Sequence, residues 1–177
     1  MVALSIPEVF WVADLVDSLP SARQRGILTR FEKIVGELER RKLTGELLDP
    51  EYSDDVVLPI AREYFFLRMP CPFLVDQSCS IHPFRPIACR EYNVTSPAER
   101  CSDPYQHELA KVPMPLPLSA PLGILTARLT GAKPRLVPLT LALRFAVENA
   151  ELGKKTWPGL ELFQQFMEGI GKKAKEE

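Results

Sequence analysis

Net charge is almost absent from this sequence: its 177 residues carry 22 Lys and Arg against 23 Asp and Glu, a formal charge of −1. Such a balance creates no overall field for nucleic acid or an anionic membrane surface, so no nucleic-acid partner is expected. Long hydrophobic runs are missing too. The longest uncharged stretch, residues 112–127, is broken by Pro113, Pro115, Pro117 and Pro121. It falls short of the roughly 20 apolar residues that a bilayer helix needs, so no membrane anchor is expected. The opening residues Met-Val-Ala-Leu-Ser-Ile-Pro-Glu lack a basic segment, and Glu8 and Asp14 interrupt any leader-like apolar core. A cytoplasmic location follows as the expectation. There is no internal repeat and no G-x-x-x-x-G-K, G-x-G-x-x-G, H-E-x-x-H or G-x-S-x-G string. The common nucleotide, zinc-protease and α/β-hydrolase readings go with them. Cysteine is missing everywhere outside residues 71–101.

What is present is the composition of one globular domain spanning 1–177, 46% hydrophobic and 25% charged, with room for little more than a single core. Proline is abundant, 17 residues, which is about twice the usual ~5% and predicts short elements with hard stops. Ser5 and Glu8 have the spacing of a capping box, and Val9, Val12, Ala13, Val16 and Leu19 then fall on one face of a helix over about 6–19. Ile27, Leu28, Phe31, Ile34, Val35 and Leu38 predict a second, longer helix that runs on until Gly45 and Pro50. Its opposite face carries Arg23, Arg30, Lys33, Glu37, Arg40 and Arg41; a basic strip can touch a polyanion, but a solvated face is the favoured reading. Residues 44–63 read as a connector, with a helical turn around 60–64.

Residues 112–118, with proline at every second position, must be extended. They could bind an aromatic groove, but the favoured reading is a strap packing Val112, Met114, Leu116 and Leu118 across the domain. Three further helices are predicted at 120–130, 138–152 and 158–170. The last is expected to build core with Leu160, Phe163, Phe166, Met167 and Ile170 on one face. The fold class is therefore mainly α. Helical parts at 1–45 and 119–171 flank a cysteine-rich irregular unit at 70–101.

That unit holds Cys71, Cys79, Cys89 and Cys101, with seven, nine and eleven residues between successive members. The strings Phe73-Leu74-Val75 and Cys79-Ser80-Ile81 flank Asp76-Gln77-Ser78 and suit a small β-hairpin. Pro86 can start a short helix bearing Cys89, Arg90 and Tyr92. Ser96-Pro97-Ala98-Glu99 and Asp103-Pro104 offer two more helix starts, which puts Cys101 at a seam between short helical pieces. Without a C-x-x-C knuckle the spacing leaves three readings open: a metal site, buried thiols, or a redox pair. The unit has few apolar runs, so on the first reading ligand bonds supply part of its stability.

The strings Cys71-Pro72-Phe73-Leu74 and Cys79-Ser80-Ile81-His82-Pro83-Phe84-Arg85-Pro86-Ile87-Ala88-Cys89-Arg90-Glu91-Tyr92 resemble the YkgJ-like cysteine-cluster family, whose motif is C-P-x-L, C-x-I-[YH], R-P and C-R-x-[FY]. Cys101 matches a further downstream cysteine of that family, and Leu4-Ser5-Ile6-Pro7-Glu8-Val9 resembles its N-terminal helix. The resemblance implies that Cys71, Cys79, Cys89 and Cys101 bind metal: zinc, iron or an iron–sulfur cluster. The family usually carries a C-x-x-C-C cluster upstream of that helix, which the present sequence lacks. Either these ligands are lost or the frame starts further upstream. Arg85 and Arg90 bracket Cys89 and could offset thiolate charge, or pair instead with carboxylates such as Glu91 or Glu99. His82 and His107 are possible nitrogen ligands, but His82 stands where the resembling proteins also accept tyrosine, which favours packing. Two rival classes stay open: a protein-modifying enzyme, since related clusters occur in a lysine methylase, and a metal-free helical interaction module.

Overall fold

The computed structural model describes residues 1–48, 54–96, 108–131 and 135–173; Cys101, His107 and the helix starts expected at Ser96-Pro97 and Asp103-Pro104 fall on or beyond the edges of those ranges. A two-residue strand β1 (Ala3–Leu4) leads into α1 (Ile6–Asp17) and α2 (Ser21–Arg40). The short α3 (Leu43–Leu48) and α4 (Asp54–Phe66) follow. The cysteine unit comprises β2 (Leu74–Val75), β3 (Ser78–Cys79), a 3-10 turn at His82–Phe84 and α5 (Ile87–Glu91). The C-terminal part is α6 (Ser119–Thr130), β4 (Val137–Pro138), α7 (Ala142–Glu148), α8 (Ala150–Gly153) and α9 (Gly159–Lys173). The molecule is thus mainly helical, as the periodicity predicts.

The apolar stripes explain the packing. Val9, Val12 and Val16 of α1 are buried, and so are Ile27, Phe31, Ile34 and Leu38 of α2. Helix α1 packs chiefly on α7, and α6 on α9. Strand β1 pairs antiparallel with β4, Leu4 opposite Val137, which pins the first residues against a segment far along the chain. One apolar cluster joins β1, α1, α2, α3, β4 and α7, and it takes in Phe73 and Ile81 from the cysteine unit.

Several expectations need correction. The second helix does not continue to Gly45: it ends at Arg40, Lys42 turns through a left-handed φ of 61°, and α3 starts afresh to bury Leu43 and Leu47. The supposed connector contains a full helix, α4, which accommodates Pro59 within it and packs Ile60 and Tyr64 against the core. The helix expected at 138–152 is instead β4, a 3-10 turn at Leu139–Leu141, α7 and α8, with Asn149 at the break donating its side-chain amide back to the Phe145 carbonyl at 2.9 Å. Asparagine competes for helix backbone in this way. The expected strap does not pack: Val112, Met114 and Leu116 are 42%, 38% and 43% exposed.

Helix α9 forms where expected, but its apolar side is not its inner side. Leu160, Phe163 and Met167 face solvent, at 71%, 61% and 48% exposure. The stripe turned inward includes Leu162, Phe166 and the buried Gly169, which lies beside Pro121 of α6.

Candidate metal centre

The hairpin β2–β3 carries Cys79, and Cys71 lies just before it. Its turn is only Asp76-Gln77, shorter than the three residues expected, and both adopt left-handed φ values of 47° and 59°. Paired left-handed residues make the tight turn whose twist matches a hairpin, and they fix the register Leu74 opposite Cys79. Cys71 precedes the hairpin in a turn in which the Leu74 N–H donates to the Cys71 carbonyl at 2.9 Å. Cys89 sits on α5, started by Pro86 as the sequence indicates.

Residues from the first two helices hold this unit in place. Arg30 donates through Nε to the Pro72 carbonyl at 2.6 Å, and Arg23 through Nη2 to the Ser80 carbonyl at 3.0 Å. These two members of the basic strip on α2 are therefore clasps for the cysteine unit. Arg40 and Arg41 pair with Glu37 and fit the solvated reading. Phe73 is 1% exposed and meets Phe31 edge-on, ring centroids 5.5 Å apart. The unit thus has an apolar anchor that does not depend on ligand bonds.

Two glutamates tie α5 to its neighbours. Glu8 accepts from both the N–H and the hydroxyl of Ser5, at 3.0 and 2.8 Å, and its other oxygen accepts the Ile87 N–H at 2.8 Å. A single carboxylate thereby serves the start of α1 and the start of α5, where the exposed N–H groups favour negative charge. Glu91, at the far end of α5, accepts from the N–H groups of Leu118 and Ser119 and caps α6.

Cys71, Cys79 and Cys89 are free thiols, and they lie within one another's electrostatic reach. Burial pushes the Cys89 thiol up to about 11, with Cys71, Cys79 and Glu8 adding to the rise and Arg85 opposing it. The Cys71 thiol is raised by burial first and Cys79 next, with backbone N–H groups and Arg30 pulling the other way. As a residue Cys71 is nevertheless open to solvent, whereas Cys89 is half-buried. Arg85 lies close enough to act on Cys89, and its buried Nε has no hydrogen-bond partner among the described residues. Arg90 turns away, donating to the carbonyls of Arg85 and Pro83 at 2.7 Å each. It braces the loop before α5. His82 is exposed on the 3-10 turn.

Three thiols with a buried guanidinium beside them are a donor set suited in chemistry to a soft metal. Their placement is not that of a closed coordination shell: among the described residues no three or more His, Cys, Asp or Glu are disposed to hold an ion. Cys101 lies outside those residues. Sequence reasoning found the cysteines and Arg85 but missed Glu8 and Arg30 as supports of the unit. Only the capping-box spacing of Glu8 offered any signal, and that signal concerned α1. No helix among the described residues is long and apolar enough to cross a membrane. No protein-family model, curated protein or solved structure matches this chain.

Proposed function

We propose that Cys71, Cys79 and Cys89, joined by Cys101, form one site for zinc, iron or an iron–sulfur cluster, as the resemblance to the YkgJ-like family implies. The observation that carries this reading is the gathering of three free thiols from a hairpin and a helix to a place where burial and mutual repulsion raise at least two of them. Such crowding is unfavourable for ionised thiols in an empty site, and a bound cation relieves both causes at once. Arg85 would offset the surplus negative charge of a thiolate shell. The free thiols also fit a reducing, cytoplasmic setting. Four thiolates complete a single tetrahedral shell, which makes a structural or carrier role the natural one for zinc. When bound, the metal would supply the cross-link between hairpin and α5.

Anaerobically purified protein is expected to retain one metal ion or one cluster per chain by elemental analysis, with visible thiolate-to-iron absorption if the metal is iron. Replacing Cys79 and Cys89 by serine together is expected to abolish retention. A wild-type protein without retained metal, or equal retention in the double variant, overturns the reading.

A further inference from the structure

We propose that the groove lined by Trp11 and Trp157 receives the proline-rich segment 112–118 of a second copy of this chain. The groove is a cavity of about 250 Å³ between α1, the last turns of α6 and the end of α8. Phe10 forms part of its wall, and its ring passes so close to Gly153 that a Cβ there would lie 2.6 Å from it. Gly153 is therefore what allows that aromatic wall to sit where it does. Neither indole N–H makes a hydrogen bond among the described residues. An apolar slot with two spare indole donors is the chemistry that takes extended proline-rich chain: proline rings lie on the aromatic faces and the carbonyls between them accept the N–H groups.

The chain itself carries such a segment. Val112, Met114 and Leu116 alternate with Pro113, Pro115 and Pro117 and are exposed. Proline has already fixed much of the backbone, so little ordering remains to oppose docking. The segment cannot reach the groove of its own copy. Its ends are held by the Val112 N–H to the Asn93 carbonyl at 2.9 Å and by Leu118 and Ser119 on Glu91. The groove uses Thr126, Leu129 and Thr130 at the other end of α6, on the order of 15 Å away along the helix. Each copy has both halves, so a two-fold pair makes the contact twice and closes as a dimer.

The test uses the full chain and a variant carrying Met114→Asp and Leu116→Asp, both at exposed positions. Sedimentation equilibrium is expected to show a wild-type dimer and, in the variant, self-association weakened by at least about tenfold. Both tryptophans of the chain line the groove, so intrinsic fluorescence reports on it alone. A peptide of residues 111–118 added to the variant is expected to shift that emission to the blue and to saturate; the same peptide with alanine at its three prolines is expected to do neither. A wild-type chain that stays monomeric, a dimer that persists in the variant, or emission unmoved by the peptide overturns the proposal. Peptide binding by a monomeric wild-type chain also overturns it, and assigns the groove to a different protein with a similar segment.

Discussion

The Glu8 carboxylate is shared between two helices that are far apart in the chain. Its spacing from Ser5 was legible as a capping box, whereas its bond to the Ile87 N–H spans 79 positions and left no trace that local pattern reading can detect. Replacing Glu8 by alanine removes acceptors from three donors at once. The variant is expected to lose about 2–3 kcal/mol in urea denaturation, the sum of a lost cap and a buried N–H left unpaired; a loss near zero would show that α5 does not depend on it. At Cys89 the expectation concerns reactivity. With its thiol pushed up to about 11, above its ordinary value near 9, the metal-free folded protein holds Cys89 as the neutral thiol through pH 8, and thiolate is the reactive form. Alkylation of Cys89 by iodoacetamide is expected to be slower in the folded metal-free protein than in the denatured chain, with the gap closing as pH nears 11. Equal rates at pH 8 would contradict this.

Among the elements, those marked by long, clean periodicity were readable and those ended by a local conformation were not. The stripes of α1 and α2 and the capping residues announced both helices. The break at Lys42 has no breaker residue to announce it, and the weak periodicity of residues 44–63 hid α4, which continues through Pro59. Helix α9 exposes a different limit: an apolar face tells which side of a helix is hydrophobic, not that this side is covered. The hairpin was legible from its apolar strings, but not the length of its turn. Gln77 occupies a left-handed conformation that non-glycine residues adopt at a cost. Gln77→Gly is expected to stabilise the protein by up to about 1 kcal/mol, seen as a higher denaturation midpoint with an unchanged slope. Phe73→Ala, which empties a buried aromatic site against Phe31, is expected to cost about 3–5 kcal/mol and to undock the hairpin. A cost below about 1 kcal/mol would mean that the cysteine unit is not held by its apolar anchor.

At the scale of the whole molecule, the proposed metal site predicts that removal of the ion acts on one corner only. Cys89→Ser, or chelation of the wild type, is expected to raise amide exchange in α5 and the loop before it while Phe73, Ile81 and helices α1, α2 and α7 keep their protection, because these belong to the common core. Far-UV helicity should stay nearly constant. Loss of protection throughout α1 and α2 would instead make the metal the organiser of the entire fold.

The pairing of β1 with β4, and of α1 with α7, sets a condition on how the chain is made. The first helix leaves the ribosome with Val9, Val12 and Val16 uncovered, and the element that covers them most fully is encoded more than a hundred residues later. A nascent chain stalled before Val137 therefore holds an apolar helix without its chief partner, a state prone to association with other chains. Slower synthesis through residues 20–137 is expected to lengthen the time α1 spends without that partner.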